Sequence, residues 1–267
     1  MTGRPNGRTL PRRVVVGLAV VLWVALLGVA VWWAAGVAGE FVASARTTPR
    51  YDPPVWAGQN VTGACSGGFY ARDEQTIVLT LSAHCSEPGR ALRDGDGRLL
   101  GMLGPRAQLV DCPEGRFCAP SDFLTLAVAA DRIPWGHLDQ IDMGAGGYRT
   151  IAPGTTGLAC GDIKIGDAVE IDGRERYRTG RVIEIGPYEH ETDTIFPCMA
   201  AADIEVGIGD SGGAVLVNGL PAGVVARELG GNMGFTPLAE GLVNLGLTLC
   251  TTPDCDLSPQ TADQPVE

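Results

Sequence analysis

The sequence predicts an all-β fold, preceded by one N-terminal segment long enough to cross a membrane. The chain has 267 residues with 38 glycines, 18 prolines and only 6% aromatic residues. This composition suits many short strands joined by turns better than a helical bundle. Short apolar or alternating runs recur at residues 76–81, 99–103, 167–171 and 180–185, with glycine-rich turns between some of them. Such spacing is typical of a barrel or a sandwich.

The N-terminal segment is residues 14–39, which carry no charge. As a helix it would be about 39 Å long, more than the ~30 Å hydrocarbon core of a bilayer. Arg4, Arg8, Arg12 and Arg13 precede it and Glu40 follows it. The positive-inside rule then places residues 1–13 in the cytoplasm and the rest of the chain outside it. We expect a single-pass membrane protein with an extracytoplasmic domain.

A cleaved signal peptide is the alternative for this segment. Ala43-Ser44-Ala45 has the small-x-small pattern of a cleavage site. The apolar core of a signal peptide is usually about 7–15 residues, which is much shorter than this run. A retained anchor is therefore the favoured interpretation, and secretion is the outcome if the segment is cleaved.

The part of the chain beyond the apolar segment is acidic. The full chain has 20 basic and 31 acidic residues, and four of the basic residues but none of the acidic ones precede Glu40. The remainder has a net charge of about −15. Such a charge argues against nucleic acid as a partner and against tight binding to anionic lipid headgroups.

The predicted domain occupies residues 55–251. Residues 40–54 form a polar, proline-containing linker that we expect to be an extended tether, and residues 252–267 form a polar tail that we expect to be disordered. Within the domain, residues 238–245 are predicted as a short helix and residues 247–249 as a strand. Asn60-Val61-Thr62 has the form of a glycosylation sequon.

The most informative motif is Gly209-Asp210-Ser211-Gly212-Gly213. A serine between glycines on a tight turn presents its hydroxyl outward, and the backbone N–H groups beside it can converge on one point. Acyl transfer needs this combination of an exposed nucleophile and donors for a negatively charged oxygen. Turn chemistry alone would also explain the motif, because glycine, aspartate and serine are common turn residues.

Two further segments favour catalysis. Residues 79–85 are an apolar run that ends on His84 and Cys85, and residues 121–126 place Asp122 at the head of a strand-like run. The chain order His84, Asp122, Ser211 is the order of one of the convergent serine hydrolase designs. Asp111 and Asp131 are alternative carboxylates for the histidine.

These motifs resemble the chymotrypsin-fold serine proteases, and in particular the bacterial secreted branch of α-lytic protease and the streptogrisins. The resemblance covers about residues 55–251, and residues 179–182 and 235–238 also look like segments of that branch. It implies two packed antiparallel β-barrels with a short C-terminal helix, and a triad of His84, Asp122 and Ser211. It also implies an oxyanion hole formed by the backbone N–H groups of Gly209 and Ser211.

The resemblance also bears on Asp210. In the animal enzymes of the family the equivalent acid pairs with a new N-terminus after zymogen cleavage, but no Ile-Val-Gly-Gly-like start precedes Cys65. By resemblance to the bacterial branch, an internal arginine pairs with Asp210 instead. We therefore expect no activation by trimming the chain to such a start.

Eight cysteines in an exported domain predict disulfides, and about 105 pairings are formally open. Cys65 and Cys85 resemble the bridge of the family that closes the loop bearing the histidine. Cys112 with Cys118, and Cys250 with Cys255, are spaced closely enough to close small loops. Cys160 and Cys198 then remain as the last pair. With three histidines and no Cys-x-x-Cys pair, we expect no metal site, and no motif calls for a cofactor.

Substrate preference is the least determined property. By resemblance, Glu205 lies at the base of the primary specificity pocket, where an acid would favour arginine or lysine, although it could equally lie on the rim. Ala226 and Glu228 fall where the substrate-binding edge strand of the family lies. Glu228 would add to a basic preference.

The favoured function is a membrane-tethered, extracytoplasmic serine endopeptidase that acts on peptides or proteins through an acyl-enzyme. The alternatives are a catalytically silent relative that binds peptides or envelope partners, a structural envelope protein, and an esterase. The arginine-rich, lysine-poor composition is a weak indication of a bacterial source. Nothing in the sequence predicts an oligomeric state.

Overall fold

The computed structural model describes residues 54–255, except for residues 63, 74, 95, 113–116, 174–176 and 190–193. The described residues belong to one compact unit, Thr48–Glu267. The predicted segments 1–13 and 14–39, nearly all of the linker 40–54, and residues 256–267 of the tail lie outside the described residues. Within the described residues, no helix is both long enough and apolar enough to span a membrane.

The described chain forms sixteen short strands and one α-helix. The strands are β1 Tyr70–Arg72, β2 Ile77–Ser82, β3 Ala91–Arg93, β4 Leu99–Arg106, β5 Val110–Asp111, β6 Phe117–Cys118, β7 Phe123–Val128, β8 Gln140–Asp142, β9 Tyr148–Thr150, β10 Ala168–Asp172, β11 Tyr177–Glu189, β12 Thr194–Ala202, β13 Ala214–Val217, β14 Leu220–Leu229, β15 Asn232–Pro237 and β16 Thr248–Leu249. The helix α1 is Leu238–Leu245. The predicted all-β class, the short helix and the strand after it are confirmed.

Five strands of the first half of the chain and β16 from its C-terminal end form a six-stranded sheet in the order β16-β1-β2-β7-β4-β3. All its pairings are antiparallel. Strand β2 lies inside this sheet and is buried along its whole length, which explains its continuous apolar sequence. Strand β8 pairs with β9 in a separate two-stranded sheet, and its Ile141 also forms an isolated parallel bridge with Ala57.

The second half forms a closed barrel. Its sheet runs β11-β10-β13-β14-β15-β12-β6-β5, and an additional pairing of β11 with β12 closes the first six of these strands into a ring. The turn between β13 and β14 contains Asn218 and Gly219, both at positive φ, as a tight hairpin requires. Two register shifts between β11 and β12 bend the long strand β11.

Two features differ from the predicted pair of antiparallel barrels. Among the described residues, strand pairing closes only the second sheet, so the first sheet is an open six-stranded sheet rather than a closed ring. In addition, β6 joins the second sheet by a parallel pairing, in which Thr194 is opposite Phe117. A segment of the first half of the chain therefore extends the sheet of the second half.

The hydrophobic core has two main parts. One part lies in the first half and also takes in Ala214, Leu216 and Val224 from strands of the second half. The other part fills the closed barrel, with side chains such as Val169, Val215 and Phe235. The alternating residues of β13 thus face two cores, Leu216 the first and Val215 the second.

Four disulfides are present, and they join the same pairs that the sequence suggests. Cys65–Cys85 and Cys160–Cys198 span 20 and 38 residues, and Cys112–Cys118 and Cys250–Cys255 close small loops. The last bridge ties Cys255 to the end of the domain, so the ordered part extends beyond residue 251.

Candidate functional site

His84 and Asp122 lie side by side because their strands are paired. Ser82 at the end of β2 is opposite Phe123 at the start of β7. A 3₁₀ turn at Ala83–Cys85 follows Ser82, and Asp122 precedes Phe123. The turn that carries His84 is therefore adjacent to Asp122. The His84 Nδ1 atom is 2.6 Å from Asp122 Oδ2. The candidate carboxylate Asp122 therefore pairs with the histidine.

The two side chains of this pair differ in exposure. The His84 side chain is 42% exposed, whereas that of Asp122 is 10% exposed. The Ala83 N–H donates to the Asp122 carbonyl at 3.0 Å, and the Asp122 N–H donates to Thr236 Oγ1 at 3.3 Å. These contacts fix the backbone of Asp122, and within the described structure the second ring nitrogen of His84 has no hydrogen-bond partner, so it is available for proton transfer.

Ser211 lies on the turn 207–213, which connects β12 to β13 and which we call the serine turn. Gly209 and Gly212 have φ values of +103° and +84°, which are unfavourable for other residues. A Cβ on Gly212 would also lie 2.4 Å from the Ser66 carbonyl oxygen. The glycines of the motif are therefore required by backbone conformation and close packing.

The serine turn leaves two backbone donors free. Within the described residues, neither the Gly209 N–H nor the Ser211 N–H donates a hydrogen bond. By contrast, the Asp210, Gly212 and Gly213 N–H groups donate to carbonyls at 3.1, 2.7 and 2.9 Å. The two free donors flank Asp210, at the positions that the sequence predicts for an oxyanion hole.

Residues of the first half hold the serine turn in place. The Gly209 carbonyl accepts hydrogen bonds from Asn60 Nδ2 at 3.0 Å and from Ser66 Oγ at 2.7 Å. The Ser66 N–H also donates to the Ser211 carbonyl at 2.7 Å. Asn60 and Ser66 are both buried, and we call them the clamp residues. Sequence reasoning missed the clamp residues, apart from the place of Asn60 in a sequon.

An ion pair holds the serine turn from the other side. Arg178 Nη2 is 2.7 Å from Asp210 Oδ1, and the two side chains are 15% and 6% exposed. Asp210 Oδ2 accepts the Gly207 N–H at 2.8 Å. A Cβ on Gly173 would lie 1.8 Å from Asp210 Oδ1, so this pair has space only because residue 173 is glycine. The internal arginine partner that the resemblance implies for Asp210 is therefore confirmed as Arg178.

Asp172, at the end of β10, is a second acid close to this ion pair. Burial, together with the charges of Asp142 and Asp210, raises the pKa of its carboxyl to about 6, although the charge of Arg178 opposes this rise. At neutral pH this carboxyl is still mostly ionised, and its buried charge destabilises the folded protein.

The candidate catalytic residues occupy one region, but they are not all hydrogen-bonded to one another. The Ser211 carbonyl oxygen lies 3.9 Å from the sulfur of Cys85, the neighbour of His84. In the described structure no hydrogen bond joins Ser211 Oγ to His84. Such contacts are often long in unliganded sites and shorten when substrate binds.

Two cavities are lined by candidate site residues. One, of about 340 Å³, lies beside His84 and Asp122 and is also lined by Arg106, Arg227 and Phe196. We call it the arginine cavity. The other, of about 400 Å³, is lined by Glu184, Glu228 and apolar side chains that include Tyr188 and Met199. We call it the acidic cavity.

The candidate substrate-pocket residues fall into different environments. Glu228 lines the acidic cavity, where its carboxylate accepts the Gly231 N–H at 2.8 Å. Glu205 is exposed, and its carbonyl accepts a hydrogen bond from Arg178 at 2.7 Å. Ala226 is buried and can contribute only its backbone. In the described part of the chain, no group of three or more acids, histidines or cysteines is placed to bind a metal ion.

Comparisons with known proteins locate the fold among bacterial proteases. No protein-family model and no curated protein sequence matches the chain. Among solved structures, Cellulomonas bogoriensis chymotrypsin matches with a TM-score of 0.56 and 19% identity over 74% of this chain and 100% of that one. Thermobifida fusca protease A matches with a TM-score of 0.53 and 19% identity over 73% and 98%.

A third solved structure, an α-lytic protease homologue, has a TM-score of 0.50 and 20% identity over 69% of this chain and 91% of that one. These identities are too low to carry activity across, but the extent of the structural match is nearly the whole of each protease. The described chain has the chymotrypsin fold of bacterial serine proteases.

Proposed function

We propose that this chain is a serine endopeptidase that hydrolyses peptide bonds of peptides or proteins through an acyl-enzyme. The observation that carries the proposal is the 2.6 Å contact of His84 with Asp122, next to a serine turn that has two free N–H donors. The chymotrypsin fold found in bacterial serine proteases supports it.

In the proposed reaction, Ser211 Oγ attacks the carbonyl carbon of the scissile bond and His84 accepts the hydroxyl proton. The tetrahedral oxyanion accepts hydrogen bonds from the Gly209 and Ser211 N–H groups, each worth roughly 3–4 kcal/mol in other proteases. His84 then gives its proton to the leaving amine. Asp122 orients the imidazole and stabilises its protonated form. Water repeats these steps on the acyl-enzyme and releases the acid.

The substrate would bind as an added strand. Strand β14 pairs with β13 as far as Val224, and among the described residues its later part, around Arg227 and Glu228, pairs only with β15. The open edge can receive the backbone of an extended peptide. We further propose that Glu228, together with Glu205, favours an arginine or lysine side chain in the substrate.

The proposed location is the outer face of a membrane, with residues 14–39 as the anchor and residues 1–13 in the cytoplasm. Protease treatment of intact cells should digest the domain of an epitope-tagged chain and spare its N-terminal tag. Release of the domain into the medium would instead indicate a cleaved signal peptide. Because Arg178 already pairs with Asp210, we expect activity without trimming at an N-terminal zymogen site.

Fluorophosphonate labelling of the full-length chain in detergent tests the catalytic proposal. We expect an adduct on Ser211, found by mass spectrometry, that is lost in Ser211→Ala and in His84→Ala. Both variants should retain the thermal stability of the wild type. Labelling of a different serine, or turnover that survives in Ser211→Ala, would contradict the assignment.

The second candidate function is a catalytically silent module that binds peptides. The observation in its favour is that Ser211 Oγ makes no hydrogen bond to His84 among the described contacts. Folded, oxidised protein that binds peptides through the β14 edge but does not react with the fluorophosphonate would support this alternative.

A further inference from the structure

The arginine cavity combines positive charge with the candidate catalytic pair. Arg106 comes from the end of β4 in the first half, and Arg227 comes from β14 in the second half. His84 and Asp122 line the same cavity, where the two arginines outnumber the single carboxylate of Asp122, whose Oδ2 contacts His84 Nδ1 at 2.6 Å. This positive cavity contrasts with the net charge of about −15 on the chain beyond its apolar segment.

Arg227 is held in place by a neutral partner. Its Nη1 donates to the Tyr188 hydroxyl at 3.0 Å, and its guanidinium carbon lies 4.9 Å from the centre of the Tyr188 ring. Among the described residues, no carboxylate lies within ion-pair distance of Arg227. Stacking on an aromatic ring orients a guanidinium without cancelling its charge, so the group is prepared for a carboxylate ligand.

Arg106 can also turn to a ligand. Its ion pair with Glu87 is long, at 3.5 Å, and the two side chains are 53% and 70% exposed. Exposed pairs of this kind contribute little to stability. A carboxylate inside the cavity would therefore compete easily with Glu87 for Arg106.

The rest of the cavity suits a short aliphatic chain. Leu109 and Phe196 provide apolar walls. Ser121 also lines the cavity, and its buried hydroxyl has no hydrogen-bond partner within the described structure. A volume of about 340 Å³ is ample for one amino-acid side chain. A glutamate side chain fits this cavity, because its methylene groups can contact the apolar walls while its carboxylate binds the two arginines.

We propose that the arginine cavity is a specificity site that binds an acidic side chain, glutamate above all, close to the scissile bond of the substrate. This inference deepens the proposed function and rests on it for the reaction, but not for the binding. Glu228, the residue after Arg227 on β14, lines the acidic cavity instead. Substrate positions that contact the two cavities would therefore prefer side chains of opposite charge.

Matched peptides test the proposal. Peptides that differ only by glutamate or glutamine at one position are compared at each position around the cleaved bond. We expect the glutamate peptide to have about a tenfold higher kcat/KM at one position. This ratio should decline when the ionic strength is raised, because screening weakens a charge–charge contact in an open cavity. Equal rates at every position would overturn the proposal and leave the endopeptidase assignment standing.

Three variants identify the residues responsible. Arg227→Gln and Arg106→Gln should each bring the glutamate-to-glutamine ratio close to one. Arg181→Gln is the matched control, since Arg181 is exposed and lies in the second half without lining the cavity. Arg106 is so exposed that its variant should fold even if Arg227→Gln does not. An unchanged ratio in Arg106→Gln and in folded Arg227→Gln would overturn the proposal.

A binding measurement separates this inference from the proposed reaction. Fluorescence anisotropy of labelled glutamate and glutamine peptides with Ser211→Ala reports affinity without turnover. If the wild-type chain cleaves nothing, the proposed function fails, but tighter binding of the glutamate peptide still supports the acidic specificity site. Equal affinities for the two peptides in that experiment would refute it.

Discussion

The serine turn and the histidine segment, the two parts of the candidate site, are held in different ways. The serine turn is fixed from both halves of the molecule, by the clamp residues on one side and by the buried pair of Arg178 with Asp210 on the other. His84 lies in a short 3₁₀ turn, its side chain is 42% exposed, and Asp122 is its one side-chain hydrogen-bond partner among the described residues.

The difference matches what each part would have to do. Free N–H donors stabilise a developing oxyanion only if they already point to its position, so the backbone around them must be rigid. A general base must accept a proton from one atom and give it to another, and this requires an accessible ring with an orienting partner. The backbone of the serine turn is held by several hydrogen bonds and an ion pair, whereas the ring of His84, which would transfer the proton, is accessible.

Asp122→Asn removes the carboxylate that contacts His84 and should have the largest effect on activity. The amide can hold the imidazole in the wrong tautomer, which lowers turnover by about 10⁴-fold in another protease with this constellation. We expect a loss of similar size in peptide hydrolysis, with a small change in melting temperature. Asp131→Asn, a change at an exposed acid, is the control. Comparable turnover in the two variants would show that Asp122 does not orient the base.

Arg178→Met removes the ion pair that supports the serine turn. Arg178 Nη2 is 2.7 Å from the buried carboxylate of Asp210, and removing one partner of such an ion pair typically costs about 3–5 kcal/mol. We expect a loss of this size in the free energy of unfolding measured with urea, together with slow fluorophosphonate labelling of Ser211. Arg181→Met removes an exposed arginine and should change the free energy of unfolding by less than about 1 kcal/mol. Equal stabilities of the two variants would mean that the pair does not support the turn.

The sequence predicts the local structure on both sides of the site. Strand β2 and strand β7 are recognisable apolar runs, and His84 and Asp122 lie at their ends, so one antiparallel pairing is enough to bring them together. The motif around Ser211 is equally visible. Its glycines carry the conformational requirement in their identity, because positive φ angles favour glycine.

What the sequence does not predict is long-range. Asn60 and Ser66 contact Gly209 across 149 and 143 residues, and nothing in their local sequence indicates a buried donor. The sequon at Asn60 even suggests an exposed residue, whereas the structure buries it. The parallel pairing of β6 with β12 is similarly hidden, because a two-residue strand has no recognisable pattern. Propensity and periodicity report on local structure, and these contacts depend on how the two halves pack.

Asp172→Asn tests whether the stability of the region beside the serine turn depends on pH through this one carboxyl. The pKa of Asp172 is about 6 in the folded protein and near 3.9 in an unfolded chain. Between these values the folded state binds more protons, so the free energy of unfolding falls as the pH rises from about 4 to about 6 and stays lower above that. The penalty at pH 7 is roughly 3 kcal/mol.

Asparagine mimics the protonated acid, so this variant should be more stable than the wild type at pH 7.5 and similar to it at pH 4. Urea unfolding across this pH range provides the measurement, with Asp131→Asn as the control for loss of an exposed acid. If the wild type and Asp172→Asn depend on pH in the same way, burial does not raise the pKa of this carboxyl.

The clamp residues give the smallest and most specific test, because Asn60 and Ser66 donate to one acceptor. Asn60→Ala or Ser66→Ala leaves the Gly209 carbonyl with one side-chain donor, and we expect each variant to lose about 1–2 kcal/mol of stability. Removing both donors leaves a buried carbonyl unsatisfied. The double variant should then lose more than the sum of the two single losses, and the excess is the coupling between the donors.

The same variants should loosen the serine turn more than they loosen the fold. Hydrogen exchange at residues 207–213 should become faster, and fluorophosphonate labelling of Ser211 slower, in each single variant and most of all in the double variant. Thr125→Val is the matched control, because it deletes a buried hydroxyl that donates to the Pro105 carbonyl at 3.1 Å in the first sheet. If Thr125→Val slows labelling as much as Ser66→Ala at equal loss of stability, general destabilisation explains the effect. A slowing confined to the clamp variants would show that residues of the first half position the backbone donors on either side of Asp210.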